Sequence, residues 1–540
     1  MNTTLSPAGI LGPHGRISQK LKQYEHRHEQ LAMAEAVAQA IDRRTHLIAE
    51  AGTGTGKSFA YLVPAILAAT ARQRDESKEP GEKPDRTRVV ISTHTISLQE
   101  QLIGKDIPFL NAVLPLEFSA VLVKGRGNYV SLRRLKGTAD RAGSMFADPR
   151  QVDQVGELLK WAHSTSDGSL ASLSFRPPSE VWDEVRSDHG NCLGKKCPTY
   201  EDCLYYKARR RIWNADVLVV NHALFFADLA LRREGASVLP DYQVVIFDEA
   251  HTVEHVASEH LGIKVTSGQV DYLLNKLYNS RSQKGLLVHH QFTQGQKLVV
   301  DLGYIADDLF GELRHYRDQH CGKNGRVRRI PEVTTDLASP LRDLGRSIAT
   351  FAESIQSEEN RIELEAAAQR CLGLAVSLES WLGQTLAGGV YWIEVGGRSL
   401  ERVELCCSPV EIASVLRDEL FSKVPTVVLT SATLAVGGQS FDFIRRRLGV
   451  DHSAELKVDS PFNFQENAKL LLPAGMPDPT ESPFEYENAV CDRIRKYVDQ
   501  TQGRAFVLFT SFKMLDSCAR KLTDWFRQHG YSLYSQGEGT

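Results

Sequence analysis

Cysteine is scarce in this chain: nine in 540 residues, an odd number, with only Cys192, Cys197 and Cys203 close together. Such usage excludes a disulfide-stapled secreted scaffold and suits a reducing cytoplasm with a metal site at the one cluster. Long apolar runs are missing too. Tyr61 to Ala69 stops far short of a membrane span. The N-terminal MNTTLSPAGILGPHGRISQKL has no apolar core segment and no small-residue cleavage site, which argues against secretion. Charge of one sign is also absent, for 64 Lys and Arg stand against 67 Asp and Glu. With a net charge of -3, any surface that attracts a polyanion has to be local. What remains, 42% hydrophobic and 24% charged, is an ordinary globular composition, long enough for three or four domains.

The strongest positive signal is THLIAEAGTGTGKSFAYLVPAIL. An apolar strand (Leu47, Ile48, Ala49) enters a Gly-rich turn, and a periodic helix begins near Lys57. Ala51, Gly52, Thr53, Gly54, Thr55, Gly56, Lys57 and Ser58 fit a phosphate-binding loop. Its glycines let backbone N–H groups turn onto phosphate oxygens, Lys57 reaches the β- and γ-phosphates, and Ser58 offers a hydroxyl to Mg2+. A second run, YQVVIFDEAH (242 to 251), has the continuous β-branched character of a strand buried on both faces of a parallel sheet, and it ends in two carboxylates. Asp248 is expected to hold Mg2+, Glu249 to polarise the attacking water, and His251 to couple the nucleotide to the nucleic-acid side. Two more strands end in hydroxyls and a histidine: Thr93 and His94 in RTRVVISTHTISLQEQL, and Thr430, Ser431 and Thr433 in PTVVLTSATL. Such groups hold backbone phosphates of a nucleic acid or cap the next helix.

HRHEQLAMAEAV with Arg27 and Gln30, EAGTGTGKS, STHTISLQEQL, KGRGNY, DEAH, TSATL and SPFNF follow one another in an order that resembles the DinG and XPD-like iron-sulfur DNA helicases of superfamily two. The resemblance runs from about residue 9 to the last residue. It implies an α/β fold of tandem RecA-like P-loop motor domains, ATP and Mg2+ as cofactors, and unwinding with 5′ to 3′ polarity in DNA repair or replication. Gln30 would read the adenine with Arg27 beside it. The implied layout puts the first motor domain at 1–123, 214–254 and 406–459. A cysteine-rich, iron-sulfur-like insertion takes 124–213, a helical arch 255–405, and a second, incomplete motor domain 460–540, with GRAFVLFTSF (503 to 512) as its early strand. A charged, Pro- and Gly-containing loop fills 71–86.

Two departures from that pattern matter. The chain ends at YSLYSQGEGT, before the segments that carry the family's arginine finger; such a finger contributes roughly 10^3 to 10^5 in rate, so the chain as given is expected to bind nucleotide and hydrolyse it poorly. And where the family has its first cluster cysteine, two positions after KGRGNY, this chain has Ser131, a harder and far more basic donor than a thiolate. Three outcomes are open at Cys192, Cys197 and Cys203. They hold an iron-sulfur cluster, with Ser131, water or His189 as fourth ligand or as a three-iron form; they hold zinc with a nearby histidine; or they hold no metal and packing preserves the fold.

Positive charge gathers around these cysteines. Lys124 to Lys136 contains five basic residues and no acidic one, and Arg186 to Trp213 seven against three, with Tyr129, Tyr200, Tyr205, Tyr206 and Trp213 interleaved. Basic groups that track phosphates and rings that accept bases describe a single-strand channel, with Lys124, Arg126 and Tyr129 as candidate contacts. The expected partner is single-stranded DNA, within forked or recombination-type structures, handled by a monomer away from membranes. A nucleotide-switched nucleic-acid binding or redox-sensing module is the alternative. An ATP-dependent nuclease is a weaker third, because the Gln30 region begins too near the N-terminus for an exonuclease domain to precede it.

Overall fold

The computed structural model describes residues 5–21, 23–71, 87–146, 148–233, 237–386, 388–396 and 402–537. Of the charged loop expected at 71–86, everything after Ala71 lies outside the described residues. The chain divides into two compact units, Met1–Pro461 and Phe462–Thr540.

In the first unit the strands are β1 (Leu47–Ala51), β2 (Val89–Thr93), β3 (Ala120–Leu122), β4 (Val217–Asn221), β5 (Val244–Asp248), β6 (Ile263–Thr266), β7 (Arg326–Val327), β8 (Gly389–Gly396), β9 (Arg402–Pro409), β10 (Thr426–Ser431) and β11 (Ala454–Val458). Seven of them form one wholly parallel sheet in the order β11-β1-β10-β5-β2-β4-β3. β2, β5 and β10 are buried at every position, and their Val- and Ile-rich sequences suit a sheet covered on both faces. Helices His28–Arg43, Lys57–Ala69 and Ile107–Val113 cover one face around Met33, Tyr61 and Leu110. His222–Arg233, Val253–Leu261 and Asp442–Leu448 cover the other around Phe225, Phe247 and Leu448. Parallel strands all deliver their C-terminal ends to one edge, and there the motifs lie.

Two further cores belong to the segments between these strands. Residues 130–204 pack around Val130, Leu158, Val181 and Val185. The stretch from β6 to β9 combines the long helices Thr293–His320, Ala338–Glu353 and Glu358–Leu382 with an antiparallel sheet ordered β6-β9-β8-β7. Its core centres on Trp381, fully buried, whose indole N–H donates to the Cys406 carbonyl at 2.8 Å.

The second unit departs from expectation. Among its described residues there are helices but no strand; Pro483–Gln500 and Phe512–Gln528 pack through Cys491, Ile494, Leu522 and Phe526. The early strand expected within 503–512 does not form, and Phe506 is 99% exposed. Strand geometry is stable only against a ladder partner, and residues 504–509 have none among the described residues. No helix among the described residues is long and apolar enough to cross a membrane.

Trp381→Ala is expected to cost about 3–5 kcal/mol. Urea unfolding followed by circular dichroism should show the loss as a lower midpoint for the β6–β9 region.

Candidate nucleotide and nucleic-acid site

β1 ends at Ala51 and the chain turns through Gly54 and Gly56, with φ of +86° and +81°, into the helix that starts at Lys57. Both angles lie in the left-handed region, where glycine carries no steric cost. At Gly56 space is limiting as well, since a Cβ there would stand 2.2 Å from Gln30 Nε2. That amide donates to the Gly56 carbonyl at 3.0 Å, and Gln30 Oε1 accepts from the Tyr24 hydroxyl at 3.2 Å. Arg27 donates to the Gly54 carbonyl. Gln30 and Arg27 thus brace the loop by its carbonyls; the N–H groups of Gly52 and Thr55 donate to the Val458 and Gly52 carbonyls, and the others of the turn can serve an anion. Inside the turn Thr55 Oγ1 donates to the Gly52 carbonyl at 2.7 Å, and Lys57 Nζ reaches the Ala51 carbonyl at 3.4 Å. Ser460 closes the far side, its hydroxyl donating to the Thr53 carbonyl at 2.7 Å.

Register brings the other motifs alongside: Ala49 pairs with Thr430 and Glu50 with Ser431, while Thr430 also pairs with Asp248. Asp248 is buried. Its Oδ2 accepts from Tyr61 at 2.9 Å and its Oδ1 from the Glu249 N–H at 2.9 Å. Burial pushes its pKa up to about 6, only partly offset by the Tyr61 bond. A carboxylate so placed is short of positive charge, so it fits a cation shared with the Ser58 hydroxyl. Glu249 adopts a left-handed backbone, φ +54°, a strain of order 1–3 kcal/mol for a residue with a side chain. Ser431 Oγ donates to Glu249 Oε2 at 3.2 Å and stands 2.8 Å from His251 Nδ1, which is itself 3.4 Å from Glu249. The hydroxyl proton goes to the carboxylate, so the His251 Nδ1–H is the donor in that contact.

The groups expected on DNA divide into available and committed ones. His94 and Thr433 are exposed. Thr93 is buried, its hydroxyl donating to the Thr95 carbonyl at 3.4 Å. Thr430 is fully buried, with Oγ1 unpartnered among the described residues, and Ser431 is taken up by Glu249 and His251. Thr93, Thr430 and Ser431, expected on DNA, lie in the interior, because in a sheet covered on both faces a strand's last residues are still inside.

Part of the basic stretch is interior as well. Arg133 and Arg134 are buried. Arg133 donates to Asn191; Arg134 donates to the carbonyls of Asp183, at 2.8 Å, and Arg186. Tyr129 is 3% exposed, with its ring edge-on to Tyr205, so it offers no face to a base. Lys124 is bonded to Ser169 at 2.6 Å and Asp167 at 3.3 Å. Arg126 stacks over Tyr205 at 4.3 Å and donates to Ser187 Oγ at 3.0 Å. Lys195, Lys196, Arg210, Arg211 and Trp213 remain on the surface.

A DEAD/DEAH box helicase model matches residues 31–157 and a DEAD_2 model residues 190–270. The ATP-dependent DNA helicase YoaA of Haemophilus influenzae is 31% identical over 98% of this chain and 78% of its own length. YoaA of Escherichia coli is 30% identical over 95% and 75%. The chain belongs to the DinG/YoaA family of ATP-dependent DNA helicases. The 3′-5′ exonuclease DinG of Bacillus subtilis is 27% identical over 97% of this chain and 58% of its own. An XPD helicase structure aligns over 92% of this chain and 75% of its own, with 13% identity and a TM-score of 0.46. The seven-stranded sheet is the RecA-like motor of this family, which uses ATP and Mg2+.

The family's cluster does not match the donors present. Ser131 Oγ caps the helix Leu132–Met145, accepting from the Arg134 N–H at 3.4 Å. Among the described residues no group of three or more His, Cys, Asp or Glu side chains is arranged to hold a metal ion. Three thiols and a hydroxyl committed to a cap do not supply the four thiolates of a cubane. Cys192 Sγ instead accepts from the Gly194 N–H at 3.4 Å and lies 3.9 Å from the Tyr206 hydroxyl.

Sequence reasoning missed Tyr61, Glu50 and Asp106. Tyr61 lies one helical turn after Ser58, a spacing that could have flagged it. Glu50 Oε2 accepts the N–H groups of Leu434 and Ala435, both at 2.6 Å, and so fixes the turn after β10. Asp106, buried and within reach of the Ser58 hydroxyl, carried no sequence signal.

Burial opposes ionisation of Cys192, but the Gly194 N–H, Arg126 and Tyr206 outweigh it and its pKa falls below the usual thiol value; burial holds Cys203 above it. Iodoacetamide is expected to label Cys192 before Cys203, as read by peptide mass spectrometry. Arg126→Ala should slow the labelling of Cys192.

Proposed function

We propose that this chain hydrolyses ATP at the loop Ala51–Ser58 and uses the cycle to move along single-stranded DNA, 5′ to 3′, and unwind forked or recombination-type duplexes in the cytoplasm during repair or replication. The observation that carries the reading is the meeting, at the ends of three neighbouring parallel strands, of the phosphate loop, the Asp248–Glu249 pair and the Ser431–His251 link. Lys57 and the loop N–H groups hold the phosphates, Arg27 and Gln30 fix the loop, and Glu249 takes the proton of the attacking water. Ser58 and Asp248 would hold Mg2+, which would supply charge neutralisation on the phosphates. His251, tied to Glu249 through Ser431, relays the state of the nucleotide site to the exposed His94 and Thr433. Residues 1–123, 214–254 and 406–459 are assigned to the motor domain, 124–213 and 255–405 to insertions that guide the strand, and 460–540 to the second motor domain. The exposed Lys195, Lys196, Arg210, Arg211 and Trp213 make the guiding surface, in place of Arg133, Arg134 and Tyr129.

Lys57→Ala is expected to lower ATP turnover and fork unwinding at least about 100-fold, while salt-sensitive binding of a single-stranded oligonucleotide, measured by anisotropy, stays within about twofold. Unwinding by the Lys57→Ala protein at the unaltered rate would overturn the assignment of this loop.

A further inference from the structure

His222 belongs to no motif used so far, yet it stands between the two functions of the sheet edge. It opens the helix His222–Arg233 directly after β4, is 1% exposed, and its Nδ1 lies 2.7 Å from Ser92 Oγ. Ser92 is the residue before Thr93 and His94, and the His94 ring is 6.0 Å from that of His222. On the other side the ring packs against Phe247, at 5.7 Å, the residue before Asp248 and Glu249. The backbone carbonyls of Asp248 and Glu249 lie close enough to favour a proton on the ring. Nevertheless Nε2 forms no hydrogen bond among the described residues.

Tautomer chemistry orders these contacts. Enclosed by Ser92, His94 and Phe247, a neutral ring carries one proton, on one of its two nitrogens. With that proton on Nε2, Ser92 donates to Nδ1, and Nε2–H is a buried donor that forms no hydrogen bond among the described residues. A small shift of Ser92 moves the ring, and the ring can then hold or release the Asp248–Glu249 turn.

We propose that His222 is a positioning residue that transmits occupancy of the Thr93–Thr95 turn by single-stranded DNA to the backbone of Asp248 and Glu249. The inference rests on the reading above, in which ATP sits at the loop Ala51–Ser58 and DNA at His94. Two variants separate the halves of the link. Ser92→Ala removes the bond on the DNA side, and His222→Asn keeps a group at the Nδ1 position while removing Nε2 and the ring face that packs on Phe247.

The test is ATP turnover by the whole chain with and without a single-stranded oligothymidylate, together with its binding affinity, KM for ATP and a thermal melt. In both variants stimulation by DNA is expected to fall roughly tenfold, with basal turnover, KM and DNA affinity within about twofold. Stimulation equal to that of the unaltered chain in Ser92→Ala and in His222→Asn overturns the inference and leaves the proposed function standing. Basal and stimulated rates falling together overturn it as well, since that marks a structural role. If the unaltered chain, folded and bound to DNA, shows no stimulation, the functional reading fails and this inference with it.

Discussion

Strands of a parallel sheet deliver their C-terminal ends to one edge, and what those ends can do together depends on register. Here Glu50 is level with Ser431 and Thr430 with Asp248, so the phosphate loop, the acidic pair and the hydroxyl turn open side by side. A two-residue slip of β10 would separate Ser431 from Glu249 and sever the link to His251. The register is held by full burial of β10 between β1 and β5, and by Glu50, which grips the N–H groups of Leu434 and Ala435. The same burial raises the pKa of Asp248 to about 6.

Residues 130–204 and the stretch from β6 to β9 are attached to one another by charge. Arg141 forms a two-pronged pair with Glu363, at 2.8 and 3.2 Å, Arg370 pairs with Asp188, and Lys276 meets Glu184 at 2.6 Å beside Arg134. Buried pairs of this kind give little net stability because both partners lose water, but breaking one leaves an unpaired charge inside, so they fix orientation strongly. Of the basic residues near Ser131, Arg133 and Arg134 are buried and bonded to Asn191 and to the carbonyls of Asp183 and Arg186, while Lys136 stays exposed.

Much of this was legible in the sequence. The phosphate loop, the acidic strand end, the buried parallel strands and the family pattern could all be read because each is local and periodic. Burial of individual polar groups could not. Thr430 and Thr93 look like strand-end hydroxyls until both faces of the sheet are seen to be covered, and Tyr129 looks like a stacking ring until its neighbours enclose it. GRAFVLFTSF has strand composition but no partner among the described residues to make it one. His222 could not have been singled out, since its meaning lies in two contacts, Ser92 and Phe247, that are distant in sequence.

Hydrogen exchange tests the central claim, that one sheet edge serves both nucleotide and strand. With Mg2+ and a non-hydrolysable ATP analogue, amides at 52–58 and 249–252 should become protected; adding single-stranded DNA should protect 94–96 and 432–435 and change exchange at 249–252 again. Exchange at 52–58 that the analogue leaves unchanged, or a DNA effect that never reaches 249–252, would contradict it.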